Sequence, residues 1–141
     1  MGAQKACFDS LDNSGWHLTG GGITAPQGYL AAGVSAGIKK KGLDLALVFS
    51  SQPASAAAVF TTNRVQAAPI VLSRENIKLS RGRVRAVLVN SGCANACTGD
   101  RGMHDAVLST QCLASHLEIE PSQVLVASTG VIGSYLPMPK M

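Results

Sequence analysis

Aromatic residues are scarce in this chain: Phe, Tyr and Trp together make up 4% of its 141 residues. A surface that stacks nucleic-acid bases needs aromatic platforms interleaved with basic side chains, so the scarcity argues against nucleic-acid binding. Charge is sparse as well, with 12 Lys and Arg against 8 acids and a net charge of +4. The small basic excess sits in Lys39-Lys40-Lys41 and in Arg81, Arg83 and Arg85, with no aromatic among them. The three lysines precede Gly42 and read as a solvated turn between strands rather than as a patch for a polyanion. No window approaches the roughly 18 to 20 consecutive apolar residues that a spanning helix requires. Residues 1–10 lack the apolar core of a secretory signal, and Ala6 stands where a myristoylation site needs Ser or Thr. These absences predict a cytoplasmic chain with no membrane and no nucleic-acid partner. The four cysteines, Cys7, Cys93, Cys97 and Cys112, then read as reduced thiols rather than as a disulfide framework.

What the chain does hold is small and aliphatic. Hydrophobic residues reach 46%, carried by Ala, Val, Leu and Ile alongside 15 Gly, a composition that suits tightly packed α/β layers. The length fits one domain or a piece of a larger fold. Residues 1–21 are expected to be an irregular entry segment, and 22–141 the folded part. Gly20-Gly21-Gly22 is not followed by Gly-Lys-Ser/Thr and is not expected to be a phosphate loop. Residues 29–38 and 43–50 read as two strands joined by the Lys39–Gly42 turn into an antiparallel hairpin. Residues 56–61 read as a third short strand. Residues 68–73, Ala-Pro-Ile-Val-Leu-Ser, read as a strand that Pro69 places at an edge or at its own start, followed by a polar connection over 74–81.

The clearest strand is 83–90, Arg-Val-Arg-Ala-Val-Leu-Val-Asn, running into a loop over 91–100. From about residue 102 to 117 the apolar residues Met103, Ala106, Val107, Leu113, Ala114 and Leu117 recur at helical spacing. Pro121 stops the helix, and Val124-Leu-Val-Ala begins a further buried strand that ends in a Ser128-Thr129-Gly130 turn. Strand, helix, strand is a βαβ unit. It predicts two parallel strands whose carboxyl ends open on one sheet edge, the natural place for a site.

Several side-chain sets compete for that chemistry. Cys93, Cys97, His104, Cys112 and His116 include spacings found at zinc sites, with Cys112 and His116 one helical turn apart. Cys112 nevertheless reads as a buried small residue and His116 as solvent-facing, so no metal is expected. A thiolate from Cys93 or Cys97 activated by His104 or His116 lacks a third, orienting group, and His17 in the entry segment has no evident role. Asn90 to Asn95 resembles a platform of amides and backbone for a polar substrate. Ser128, Thr129 and Gly130 bring two hydroxyls and an unhindered backbone N–H, the components of an oxyanion hole.

The order of motifs is more specific than any one of them. Gly-Ile-Thr-Ala-Pro-Gln-Gly-Tyr at 22–29, Ala-Ala-Gly-Val-Ser-Ala-Gly-Ile-Lys at 31–39, Asp-Leu-Ala-Leu-Val at 44–48 and Ala-Ala-Val-Phe-Thr-Thr-Asn-Arg-Val at 57–65 belong to one pattern. It continues through Val-Asn-Ser-Gly-Cys-Ala-Asn-Ala-Cys-Thr-Gly at 89–99 and Val-Leu-Val-Ala-Ser-Thr-Gly-Val-Ile-Gly at 124–133. From about residue 22 onward the chain resembles the ornithine acetyltransferases, the bifunctional glutamate N-acetyltransferases of arginine biosynthesis. The resemblance implies a layered α/β sandwich of the DmpA type, of which this would be the N-terminal part. It implies acetyl transfer from N-acetylornithine to glutamate, with acetyl-CoA as donor in some members and no bound cofactor.

The family's precursor cleaves itself before a threonine. The resemblance therefore implies a β-chain partner whose N-terminal Thr is the nucleophile, in a hetero-oligomer of α and β chains. Such a residue is chemically apt, because an α-amine with a pKa of about 7.7 to 8.0 can act as base for its own hydroxyl. Thr129 and Gly130 match the family's oxyanion-hole pair.

Two departures from the pattern stand out. No Ala-Thr dipeptide, the family's cleavage step, occurs, and the sequence ends at Met141 ahead of the expected nucleophile, so this chain alone is expected to be an inactive α-chain portion. Cys93 stands where the family pattern has Asn. A DmpA-like aminopeptidase fragment, a non-catalytic binding or assembly module and a zinc-stabilised module are the alternatives. A sheet left half-covered would expose apolar surface and make the isolated chain poorly soluble or self-associating.

Overall fold

The computed structural model describes residues 20–141. Four strands, β1 (Tyr29–Val34), β2 (Leu45–Ser55), β3 (Arg83–Cys93) and β4 (Val124–Val131), form one sheet in sequential order. β1 and β2 pair antiparallel, as do β2 and β3, whereas β3 and β4 are parallel. Helix α1 (Ala68–Leu79) precedes β3, and helix α2 (Gly99–Leu117) provides the β3–β4 crossover. The expected hairpin, βαβ unit and α/β class are therefore present. The irregular segment expected at 1–21 lies outside the described residues except for Gly20 and Gly21, which form exposed bends. His17 and Cys7 also lie outside them.

Alternation along β3 sorts the sheet into two faces. Val84, Ala86, Leu88 and Asn90 are buried, while Arg85, Val87, Val89 and Ser91 are half-buried. Ala86 and Val124 pack with Ala114 of α2, flanked by Leu47, Phe49, Leu113, Leu117 and Ile119. A second cluster joins Ala68 and Leu72 of α1 to Ala106 of α2, with Met103, Val107 and Val126 around it. Both clusters sit on the helix-bearing face. Over β1 and β2 that face opens into an apolar groove of about 530 Å³ lined by Ala32, Val34, Leu45, Leu47, Cys112 and Leu113, among others. Among the described residues no helix is long and apolar enough to cross a membrane.

Three expectations fail, each for a physical reason. Residues 68–73 start helix α1 instead of making a strand. Pro69 sits in the first turn, where its missing N–H is not needed. The helix ends in a Schellman closure: Gly82 N–H bonds the Ile77 carbonyl and Arg81, with φ 53°, bonds that of Lys78. Residues 56–61 are not a strand. Ala56 N–H is taken by the Gly82 carbonyl, and beyond it Thr61 Oγ1 and Asn63 Oδ1 accept the N–H groups of Asn63 and Val65, so local turns replace a ladder. Ser128-Thr129-Gly130 is not a turn but the last half of β4, paired with Asn90, Ser91 and Gly92. The turn follows at Ile132 and Gly133.

Boundaries also move. β2 runs on to Ser55 through an irregularity between Phe49 and Ala54. Arg85 clamps it, donating to the carbonyls of Ser50 (3.1 Å) and Ser51 (2.7 Å) with its guanidinium over the Phe49 ring. That bond set gives one of the three clustered arginines a structural task.

Candidate active site

β4 is an edge strand, and only part of its edge is covered. The Ser73 hydroxyl of α1 donates to the Val126 carbonyl at 2.8 Å and accepts the Val126 N–H at 3.0 Å. Asn76 Nδ2, also from α1, donates to the Val124 carbonyl at 2.8 Å. Residues 124 and 126 thus turn their backbone groups outward to α1. Strand alternation carries the same outward direction on to Ser128, past the residues that Ser73 and Asn76 bond. Thr129 follows, with its side chain on the sheet face opposite Ser128, and both Thr129 and Gly130 are exposed. A hydroxyl-bearing residue and a glycine thus stand side by side at an exposed corner of the sheet.

The backbone at that corner is unusual. Gly130 has φ +130° and its cross-strand neighbour Gly92 has φ +116°. A Cβ on Gly130 would press on the Gly92 carbonyl carbon and lie 2.7 Å from both Gly92 Cα and Cys93 N, closer than side chains come to backbone. Only a pair of glycines lets β3 and β4 approach here in these conformations. Asn90 to Ser91 and Ser128 to Thr129 carry the pairing up to this contact.

The loop after β3 holds the chain that leaves β4. Ala94 N–H bonds the Val131 carbonyl, Gly133 N–H bonds that of Ala96, and Cys93 Sγ lies 3.0 Å from the Ser134 carbonyl. Cys93 is buried, so the residue that departs from the family pattern has an internal bond rather than a ligand-facing one. The expected amide platform is internal too. Asn90 Nδ2 donates to the Cys93 carbonyl. Asn95, fully buried, donates to the Gly102 carbonyl and accepts the Thr98 hydroxyl, while its own carbonyl takes Ala68 N–H. These amides fasten the two helix starts to the end of β3; they do not face a substrate.

The thiol and imidazole candidates do not converge. Among the described residues no three His, Cys, Asp or Glu side chains form a group that holds a metal ion. Cys97 is exposed, and Cys112, expected inside, is exposed as well because it lies on the uncovered side of α2. His116 is solvent-facing and its Nδ1 lies 2.8 Å from the Cys112 carbonyl. His104 is exposed beside the buried Asp105, 3.6 Å away.

One feature of the site was missed by sequence reasoning. Asp44, buried at the end of the β1–β2 loop, accepts the N–H groups of Ala36 and Lys39 at 2.7 Å each. The Lys39 backbone bond, helped by those of Ala36 and Ile38 and by the lysine charge, holds its carboxyl below the usual range although burial opposes this. The same residue's carbonyl accepts Ser91 N–H at 2.8 Å. The visible signal was one Asp closing a Gly-Ile-Lys-Lys-Lys-Gly-Leu run, a lone acid at the end of a basic, glycine-bounded loop.

Residues 30–141 match the model of the ArgJ family. Among sequence relatives, the arginine biosynthesis bifunctional protein ArgJ of Parasynechococcus marenigrum is 49% identical over 91% of this chain and 32% of its own length. That of Caldanaerobacter subterraneus is 52% identical over 86% of this chain and 30% of its own. The chain thus spans about a third of the length of the curated relatives it matches. The crystal structure of the ArgJ protein of Bacillus halodurans superposes with a TM-score of 0.82 at 45% identity, covering 85% of this chain and 62% of that one. A Mycobacterium tuberculosis ornithine acetyltransferase, crystallised with ornithine, does so with a TM-score of 0.72 at 48% identity, over 84% of this chain and 64% of that one.

Proposed function

This chain belongs to the ArgJ family, and from that premise we propose that it supplies the oxyanion hole of an enzyme moving an acetyl group from N2-acetylornithine to glutamate. Thr129 donates its hydroxyl and Gly130 its N–H to the acetyl oxygen as the carbonyl becomes tetrahedral. The nucleophile comes from a β chain whose N-terminal threonine attacks the acetyl carbon. The C–O ester bond forms, the C–N bond to ornithine breaks, and the amine leaves with the proton taken from the threonine hydroxyl. Glutamate's amine then attacks the ester, the oxygen again carries charge between Thr129 and Gly130, and the threonine is restored. With acetyl-CoA as donor, the same two groups would meet the same oxygen. No bound cofactor enters the scheme.

The observation that supports this reading is the end of β4, where Thr129 and Gly130 are both exposed, past the point where Ser73 of α1 bonds the strand. Fixed donors aimed at one point stabilise a developing oxyanion without reorganising during the reaction. The likeness to a crystallised ornithine acetyltransferase supports the choice of substrates. This chain covers a far larger share of the crystallised neighbours than of the curated relatives, so those crystallised chains are much the shorter, as a separated α chain would be.

The test is to purify the enzyme that carries this chain, sequence the N-terminus of any co-purifying chain, and follow labelled acetyl from N-acetylornithine to glutamate. A partner beginning with Thr, together with label in N-acetylglutamate, is the expected result. A lone species without exchange, or a partner with another first residue, overturns the proposal.

A further inference from the structure

We propose that Asp44 is a positioning residue for the Thr129–Gly130 pair, acting through the β1–β2 loop and Gly92; the inference rests on the oxyanion-hole reading above. The route is a stack of contacts. The Asp44 carboxylate fixes the loop by accepting Ala36 N–H and Lys39 N–H, both at 2.7 Å. The loop so fixed lays Ile38 and Lys39 on Gly92: a Cβ at Gly92 would meet Lys39 Cγ at 2.8 Å and Ile38 Cγ2 at 3.1 Å. Gly92 in turn lies against Gly130, its register partner, with no room for a Cβ between them.

The Asp44 backbone closes the arrangement from the other side. Its N–H bonds the Val34 carbonyl at 3.0 Å and its carbonyl accepts Ser91 N–H at 2.8 Å. Ser91 immediately precedes Gly92 and pairs with Thr129. One buried residue therefore sets both the loop above Gly92 and the strand position next to it. Lys140 adds a smaller tie to the same loop, donating from Nζ to the Gly37 carbonyl at 2.7 Å.

The chemical consequence concerns where the Gly130 N–H points. Gly130 and Gly92 both hold φ values that other residues rarely adopt, so neither peptide is confined by a side chain of its own. Their orientation comes from what presses on them. With the loop locked by Asp44, Gly92 cannot rise away from Gly130 and the donor keeps its place. With the lock opened, the loop lifts and the N–H loses its aim, although the sheet remains paired. Asp44 is buried and both its carboxylate oxygens are taken by the loop, so its effect on the pair is expected in kcat rather than in KM.

Asp44→Asn keeps the size of the side chain but sets an amide N–H₂ against one of the two backbone N–H groups, so one clamp bond is lost. In the assembled two-chain enzyme, kcat for acetyl exchange is expected to fall about tenfold, part of the 10²–10³ that a whole donor supplies, with KM within about twofold. Gly92→Ala pushes against Lys39 and Ile38 and lowers kcat by itself. In the Asp44→Asn background the loop is free to yield, so the double variant should be no slower than Gly92→Ala alone, within about twofold.

Losses that multiply, or a rise in KM with kcat unchanged, overturn the inference. Thr129→Ala is measured in parallel; if it leaves kcat intact, the oxyanion-hole reading has failed, whatever Asp44 does. Should Asp44→Asn not assemble, Lys39→Ala takes its place, since it removes the Cγ over Gly92 and keeps the backbone bond to Asp44. A kcat loss of about threefold then supports the route and an unchanged kcat refutes it.

Discussion

Gly130→Ala is the most demanding perturbation of this structure because two independent costs fall on one atom. The added Cβ would press hardest on the Gly92 carbonyl carbon and stand 2.7 Å from Gly92 Cα and from Cys93 N. All three are backbone atoms of β3, so no side chain can swing aside. Ordinary contact begins at 3.4 Å, so the 2.7 Å contacts alone require the strands to part by about 0.7 Å at the end of their pairing, and the Gly92 carbonyl carbon requires more. Forcing a core apart in this way costs about 1 to 3 kcal/mol. Holding alanine at φ +130° adds a strain of about 1 to 3 kcal/mol. Together they predict a loss of about 2 to 6 kcal/mol, read as a fall in the urea midpoint of the purified protein with m unchanged. The N–H moves with the strand, and a misplacement approaching 1 Å costs up to about 10²-fold in rate. A variant with the wild-type midpoint and wild-type kcat would refute the Gly92–Gly130 contact and the donor role together.

Other consequences are smaller and separable. Ser73→Ala removes the hydroxyl that serves both backbone groups of Val126, and should cost about 1 to 3 kcal/mol in denaturant unfolding. Asn95→Ala breaks the bonds to Gly102 and Thr98 at a fully buried site with φ 47°, and a loss of about 2 to 4 kcal/mol is expected by the same assay. Asp44 has a folded pKa below its ordinary value of 3.8, so the unfolded chain binds its proton first. Its stabilisation is present above that value and is lost as pH falls through the lower folded pKa. Unfolding measured from pH 5 downward should show this acid-side slope, flattened in Asp44→Asn. The isolated chain exposes Leu30, Val34, Val131 and Ile132, so light scattering should show self-association that addition of the proposed β chain suppresses.

What the sequence revealed follows from the range over which each cause acts. The β3 strand was legible because Val84, Ala86 and Leu88 alternate within seven residues. Helix α2 was legible because Met103, Ala106, Val107, Leu113, Ala114 and Leu117 keep helical spacing over four turns. Ala-Pro-Ile-Val-Leu-Ser is too short to show a period, and its β-branched pair suggested a strand. Its helical state is tied to Ser73 and Asn76 reaching Val126 and Val124, some fifty positions away in sequence.

The site divides in the same way. Thr129 and Gly130 stood out by residue type, yet the glycine looked like a turn residue, since nothing local shows that Gly92 lies opposite. Asp44 was passed over for a related reason: its partners are backbone N–H groups, which carry no residue identity. Asn90 and Asn95 looked ligand-facing because buried and exposed amides read alike until their partners are known.

The most direct test is kcat for the proposed acetyl transfer, in the proposed two-chain enzyme, with Thr129→Ala beside Thr129→Ser. Removing one oxyanion donor costs about 2.7 to 4 kcal/mol, so Thr129→Ala should lose about 10²- to 10³-fold in kcat with KM little changed, and Thr129→Ser, which keeps the hydroxyl, should recover most of it. Equal rates for the alanine and serine variants, or an alanine variant at the wild-type rate, would contradict the assignment of the oxyanion hole to this corner of β4.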